Sequence, residues 1–77
     1  MIEIIKELVM KEIPESNINV EGDGSKYVVN IISDIFVNKS IVERHKIIYS
    51  ILDKYIKSGE IHALTIFAKT ISENDKS

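Results

Sequence analysis

The chain has 77 residues, 44% of them hydrophobic and 29% charged, with a formal net charge of −2. Those values describe one globular domain spanning 1–77: the chain is too short for two cores and too apolar to stay unfolded. With no cysteine it has no disulfide, thiolate nucleophile or Cys-type zinc site. The slight acidity argues against strong non-specific binding to nucleic-acid phosphates. A core of this size rarely supplies more than about 3–5 kcal/mol of net stability, so a partner or weak homodimerisation would help it, and the chain alone is expected as a monomer or weak homodimer.

Ile5, Leu8, Val9 and Ile13 recur at helical spacing, with charged residues between them, and Pro14 closes a first helix. The start lacks a basic segment leading into a continuous apolar run, and nowhere do 18 apolar residues adjoin. The expectation is no export, no membrane span and a cytoplasmic location. Ile18 and Val20, then Tyr27 to Ile32, read as two strands joined through Glu21-Gly22-Asp23-Gly24-Ser25, a hairpin with a flexible tip.

A connector from Ser33 to Lys39 follows, and Ser40-Ile41-Val42-Glu43 has the Ser-x-x-Glu form of a capping box. In the second helix Ile41, Val42, His45, Ile48, Tyr49, Leu52, Tyr55 and Ile56 share one broad arc. Arg44 and Ile47 fall outside the centre of that arc. Gly59 stops the helix, Ile61 to Ala68 forms a last strand, and residues 72–77 make a polar tail expected to fray.

Helix, strand, strand, helix, strand is an α+β order. A strand–helix–strand crossover brings the last strand parallel to an earlier one, giving a mixed three-stranded sheet with both helices on one face. The opposite face is then either an interface or a solvated, partly polar surface.

Catalytic patterns are lacking: there is no Gly-x-Ser-x-Gly, Walker loop or His-Glu-x-x-His, and no enzyme is expected. Gly22-Asp23-Gly24-Ser25-Lys26 joins strands instead of opening a helix, so it reads as a turn and not as a phosphate cradle. His45 lies in the apolar arc as a packed histidine. His62, at the entry to the last strand, can present an imidazole at the sheet rim, but one imidazole cannot hold a metal alone. Arg44 is best placed for a local ion pair with a carboxylate, and otherwise for anchoring a partner or a phosphate. Lys46, Lys54 and Lys57 form a modest basic strip interrupted by Asp53.

Four segments, taken together and in order, resemble the BolA-like family: Gly22-Asp23-Gly24-Ser25, Ile32-Ser33-Asp34-Ile35-Phe36, Arg44-His45-Lys46-Ile47-Ile48-Tyr49, and Gly59-Glu60-Ile61-His62-Ala63-Leu64-Thr65-Ile66. The resemblance spans nearly the whole chain and implies an αββαβ, KH-like fold. It also implies an adaptor that binds a monothiol, CGFS-type glutaredoxin and shares a [2Fe–2S] cluster with it and glutathione, in iron–sulfur trafficking or iron- and redox-stress regulation. His62 matches the family's C-terminal histidine ligand, and imidazole nitrogen suits iron. Lys26 stands where many relatives carry a histidine or cysteine. A protonated lysine is a poor ligand, which leaves Asp23 as a weaker loop donor. The implied docking surface joins Arg44, Ile47 and Lys26 near the hairpin. The alternative the family offers is a DNA-binding transcriptional regulator using Lys46, Lys54 and Lys57. Thr70-Ile71-Ser72-Glu73-Asn74 departs from the family's Thr-Pro-x-x-Trp pattern, so a terminal helix is expected to be short or absent.

Overall fold

The structure is a computed structural model, and it describes residues 1–75. Helix α1 spans Ile2–Glu12, strands β1 and β2 span Asn17–Asp23 and Lys26–Ile32, and a single 3-10 turn occupies Asp34–Phe36. Helix α2 spans Ile41–Ser58, β3 spans Ala63–Lys69, and a one-turn helix α3 spans Ile71–Asp75. The sheet order is β1-β2-β3, with β1 antiparallel and β3 parallel to β2. The expected mixed sheet is therefore present, and the terminal helix is short.

Register decides which side chains meet the helices. Val20, Val29 and Ile66 stand in one row, and Ile18, Ile31 and Ala68 in the next. Because strand side chains alternate faces, these rows point to one side, where α1 and α2 pack against the sheet and each other. Ile5 and Val9 of α1, Ile48 and Leu52 of α2, and Phe36 fill the space between, all without solvent exposure. Burial of such side chains contributes about 1.5–3 kcal/mol each, most of it offset by the entropy of ordering the chain. The other sheet face carries Asn19, Asn30 and Phe67 in one row and Glu21, Val28 and Thr65 in another. This face mixes polar and apolar side chains, with Phe67 its exposed aromatic.

Two features differ from the sequence reading. The hairpin tip is tight: Asp23 pairs with Lys26, leaving a two-residue turn at Gly24-Ser25. Gly24 has φ of +65° and Ser25 is not left-handed, the pattern of a II′ turn, whose twist suits flanking strands. Tyr27 fastens it, its hydroxyl donating to the Gly24 carbonyl at 2.8 Å while its ring lies across Gly22. The second difference lies in α2. Its start and stop are as read, with both arms of the Ser40–Glu43 capping box formed and Gly59 left-handed at the end. Its buried stripe, however, runs through Arg44, Ile48 and Leu52, rotated from the expected arc, and leaves Ile41, Val42 and Tyr49 exposed.

A β-carbon on Gly22 would collide with the Tyr27 ring. Gly22→Ala is expected to cost roughly 1–3 kcal/mol, the range for overpacking, in denaturant unfolding. The cost should shrink in a Tyr27→Leu background, where the ring is gone.

Candidate functional site

β3 joins two different sites, one at each end. At its start, Ile61 is buried and its N–H donates to the Tyr55 carbonyl at 3.0 Å, which ties the loop to the end of α2. The next two amides, of His62 and Ala63, both donate to the Ser25 carbonyl in the hairpin turn, at 2.8 and 3.3 Å. The His62 backbone is thus fixed between a helix end and a rigid turn, while its side chain is exposed. Asp23 and Lys26 are exposed on the same hairpin, and Lys26 stands beside Ala63 in the register. The structure brings His62, Asp23 and Lys26 to one end of the sheet, as the sequence suggested. Among the described residues no three His, Cys, Asp or Glu side chains are grouped to hold a metal ion, so a metal bound through His62 needs ligands from elsewhere.

At the other end of β3 lies Arg44. Its Nε donates to the Lys39 carbonyl at 3.0 Å and its Nη1 to the Ala68 carbonyl at 3.0 Å. Nη1 and Nη2 also grip the two carboxylate oxygens of Glu73 at 2.6 and 3.0 Å. The guanidinium lies 6.0 Å from the centroid of the Phe36 ring. Only 8% of Arg44 is exposed. Burying this charge is tolerated because nearly every donor is satisfied and the fork matches a carboxylate.

Glu73 belongs to a second capping box. Its N–H donates to the Thr70 hydroxyl at 3.1 Å, and its carboxylate accepts the Thr70 N–H at 3.0 Å. Residues 72–75, expected to fray, therefore form part of α3, and the tail reading is corrected up to Asp75. Residues 76 and 77 lie outside the described residues. Thr70-x-x-Glu73 has the same spacing as Ser40-x-x-Glu43 and was legible as a helix start.

Arg44 is consequently not an available docking residue, and its carboxylate partner is 29 positions away in sequence, not a neighbour on α2. It is also remote from the hairpin. α2 runs antiparallel to β3, with Arg44 at Ala68, Tyr49 at Leu64 and Tyr55 at Ile61. Ala68 lies five residue steps along the strand from Ala63, a distance of about 16 Å. Ile47 is half-buried on a different flank of α2, facing Glu12, Ile13 and Ile35 across a groove. The proposed trio of Arg44, Ile47 and Lys26 does not form one surface.

His45 is half-buried beside Ile41 and Ile66. Of the three lysines, Lys57 is paired with Asp53 at 3.0 Å and Lys54 lies 5.7 Å from the Tyr55 ring centroid. Lys46 is exposed. No helix among the described residues is long and apolar enough to cross a membrane.

Comparison with known proteins bears directly on this arrangement. The family profile described as BolA-like protein matches residues 1–73, and the chain belongs to that family. It is 32% identical over 69 residues to the acid stress protein IbaG of Escherichia coli, covering 90% of this chain and 82% of that protein. Its fold is similar to BolA1 from Arabidopsis thaliana, with a TM-score of 0.84 and 29% identity over 94% and 93% of the two chains. It is also similar to the BolA domain of SufE1 from the same plant, with a TM-score of 0.85 and 37% identity over 92% of each chain.

The Arg44 pairing, followed by the Thr70 amide, holds the Glu73 carboxyl at a pKa of about 2, below its ordinary 4.5. Its stabilising contribution is complete above about pH 4.5 and is lost as pH falls towards 2. Glu73→Gln should therefore flatten the fall in stability over that acid window, measured by denaturant titration at successive pH values. Arg44→Ala, which also frees the Lys39 and Ala68 carbonyls, is expected to lower Tm by on the order of 10 °C. In the Arg44→Ala background, Glu73→Gln should add little.

Proposed function

We propose that this chain is a non-catalytic adaptor that docks a monothiol glutaredoxin through its hairpin end and contributes His62 to a [2Fe–2S] cluster. Glutaredoxin and glutathione provide the thiolates. The observation that carries the reading is the state of His62: its backbone is held by the Ser25 carbonyl at 2.8 Å while its side chain is exposed, in a chain of the BolA-like family. A ligand offered to another protein needs this combination. The fixed backbone limits the entropy lost on binding, and the exposed imidazole needs no unfolding to reach a metal.

The donors present fit a shared site and not a self-contained one. One imidazole nitrogen is available at this end of the sheet, with Asp23 as a neighbouring oxygen donor and Lys26 as a cation. Histidine at one iron and thiolates at the other is an accepted division of a [2Fe–2S] centre. Lys26 serves partner contact in this reading. The name of one relative, an acid stress protein, is in keeping with a role in stress physiology.

Mixing the chain with a cluster-loaded monothiol glutaredoxin and glutathione should produce a heterodimer whose visible circular dichroism differs from that of glutaredoxin alone. His62→Ala should weaken cluster retention in the heterodimer by no less than the roughly 10–100-fold that loss of a supporting outer group costs metal sites. Lys26→His should slow cluster loss by adding an imidazole at the hairpin. A spectrum that is the same with and without His62 rules the assignment out.

A further inference from the structure

β3 is one of the two outer strands of the sheet, and the backbone groups along its free edge are not used by a further strand among the described residues. The amide of Ala63 and the carbonyl of Lys69 bond inward, to Ser25 and Ser33. Backbone groups alternate sides along a strand, so those of Leu64, Ile66 and Ala68 point outward. Two of these carbonyls are engaged by α2: Leu64 accepts from the Tyr49 hydroxyl at 3.5 Å, and Ala68 from Arg44 at 3.0 Å. Ile66, between them, presents both its N–H and its carbonyl to a groove of about 530 Å³ between β3 and α2. Natural proteins usually blunt such an edge by shortening it, charging it or covering it. This one is seven residues long and carries a single charge, at Lys69.

The groove walls are apolar where a peptide would need them to be. On the α2 side stand Ile41, 69% exposed, and His45, with Tyr49 farther along the helix. On the opposite sheet face stand Phe67, 51% exposed, and Lys69. Ile41 and Tyr49 are left outside by the rotation of the α2 stripe towards Arg44.

We propose that the β3 edge and the flank of α2 form a strand-addition site for an extended segment of a partner protein. The segment turns apolar side chains towards Ile41 and His45, and places a carboxylate beside Lys69 on the other face. Backbone pairing with Ile66 supplies affinity, and the alternating side chains supply selectivity. The acidic preference follows from charge. Lys69 has no ion pair among the described residues, and the carboxylate near it, Glu73, is already held by Arg44 and Thr70. A second copy is a poorer occupant: Arg44 and Tyr49 reach the edge from α2, so two β3 edges could approach only if their overhanging helices shared one space. The site stands apart from His62 and does not depend on the glutaredoxin reading.

The test uses the isotopically labelled full chain and a capped synthetic heptapeptide alternating valine with threonine, with one threonine replaced by glutamate. With free peptide tenfold above its dissociation constant, exchange of the Ile66 amide should slow about tenfold, with shifts at Ile41, His45 and Phe67. N-methylating the peptide amides on one edge should abolish binding, and methylating those on the other edge should not. Lys69→Glu should reverse the preference for glutamate over lysine in the peptide. The proposal is overturned by absence of binding at millimolar peptide, by shifts confined to the hairpin, or by indifference to the methylation pattern. Ile66 protection that rises with protein concentration alone would assign the edge to a second copy and overturn it equally.

Discussion

The buried guanidinium of Arg44 is the constraint around which the far end of the molecule is organised. It joins four segments that are distant in sequence: the approach to α2 at Lys39, the edge of β3 at Ala68, the α3 turn at Glu73, and the 3-10 turn through the Phe36 ring. An apolar side chain of similar size would pack there without the cost of dehydrating a charge. It could not, however, satisfy the Ala68 carbonyl on an open strand edge or hold a helix of one turn. α3 spans five residues, far below the length at which an isolated helix is stable in water. Its order depends on the Thr70 cap and the Arg44 fork.

The same residue sets the rotation of α2. Placing Arg44 inward with Ile48 and Leu52 turns Ile41, Val42 and Tyr49 outward. A periodicity argument ranks positions by hydropathy, so it puts the apolar side chains in and the arginine out. Four hydrogen bonds, two of them the bidentate ion pair with Glu73, outweigh that ranking at this one position. Exposed isoleucine and valine at the start of α2 are consequently the other side of a buried arginine. They need no separate structural explanation, but they leave an apolar surface next to an unpaired strand edge.

Local signals made much of the fold legible. The Ser40–Glu43 box and Gly59 bound α2 in sequence as they do in space, and Pro14 follows α1 closely. The strand pattern, with the crossover rule, was enough to order the sheet. What escaped was long-range or depended on geometry that composition does not encode. The five residues Glu21 to Ser25 looked flexible because each tolerates a turn. Pairing through Asp23 and Lys26 and the Tyr27 hydroxyl contracts them to two. The partner of Arg44 lay 29 residues away, beyond any neighbour rule, although the Thr70-x-x-Glu73 spacing was in plain view. His62, by contrast, was found at the rim where the sequence put it, because the glycine stop before it and the strand after it are both local.

The two ends of β3 divide the labour of the domain. At the Arg44 end polar groups are used up on one another: Arg44, Glu73 and Thr70 answer each other's hydrogen-bonding demands. At the hairpin end backbone groups are satisfied and side chains are left free: the Ser25 carbonyl takes the amides of His62 and Ala63, while His62, Asp23 and Lys26 remain exposed. A domain with no disulfide and a small core has little stability to spare, so side chains proposed to engage a partner could not also be structural ones without risking the fold whenever they are engaged. Under the proposed function, separating the roles by about 16 Å along one strand would let a partner engage the imidazole while the clasp that orders α3 stays intact.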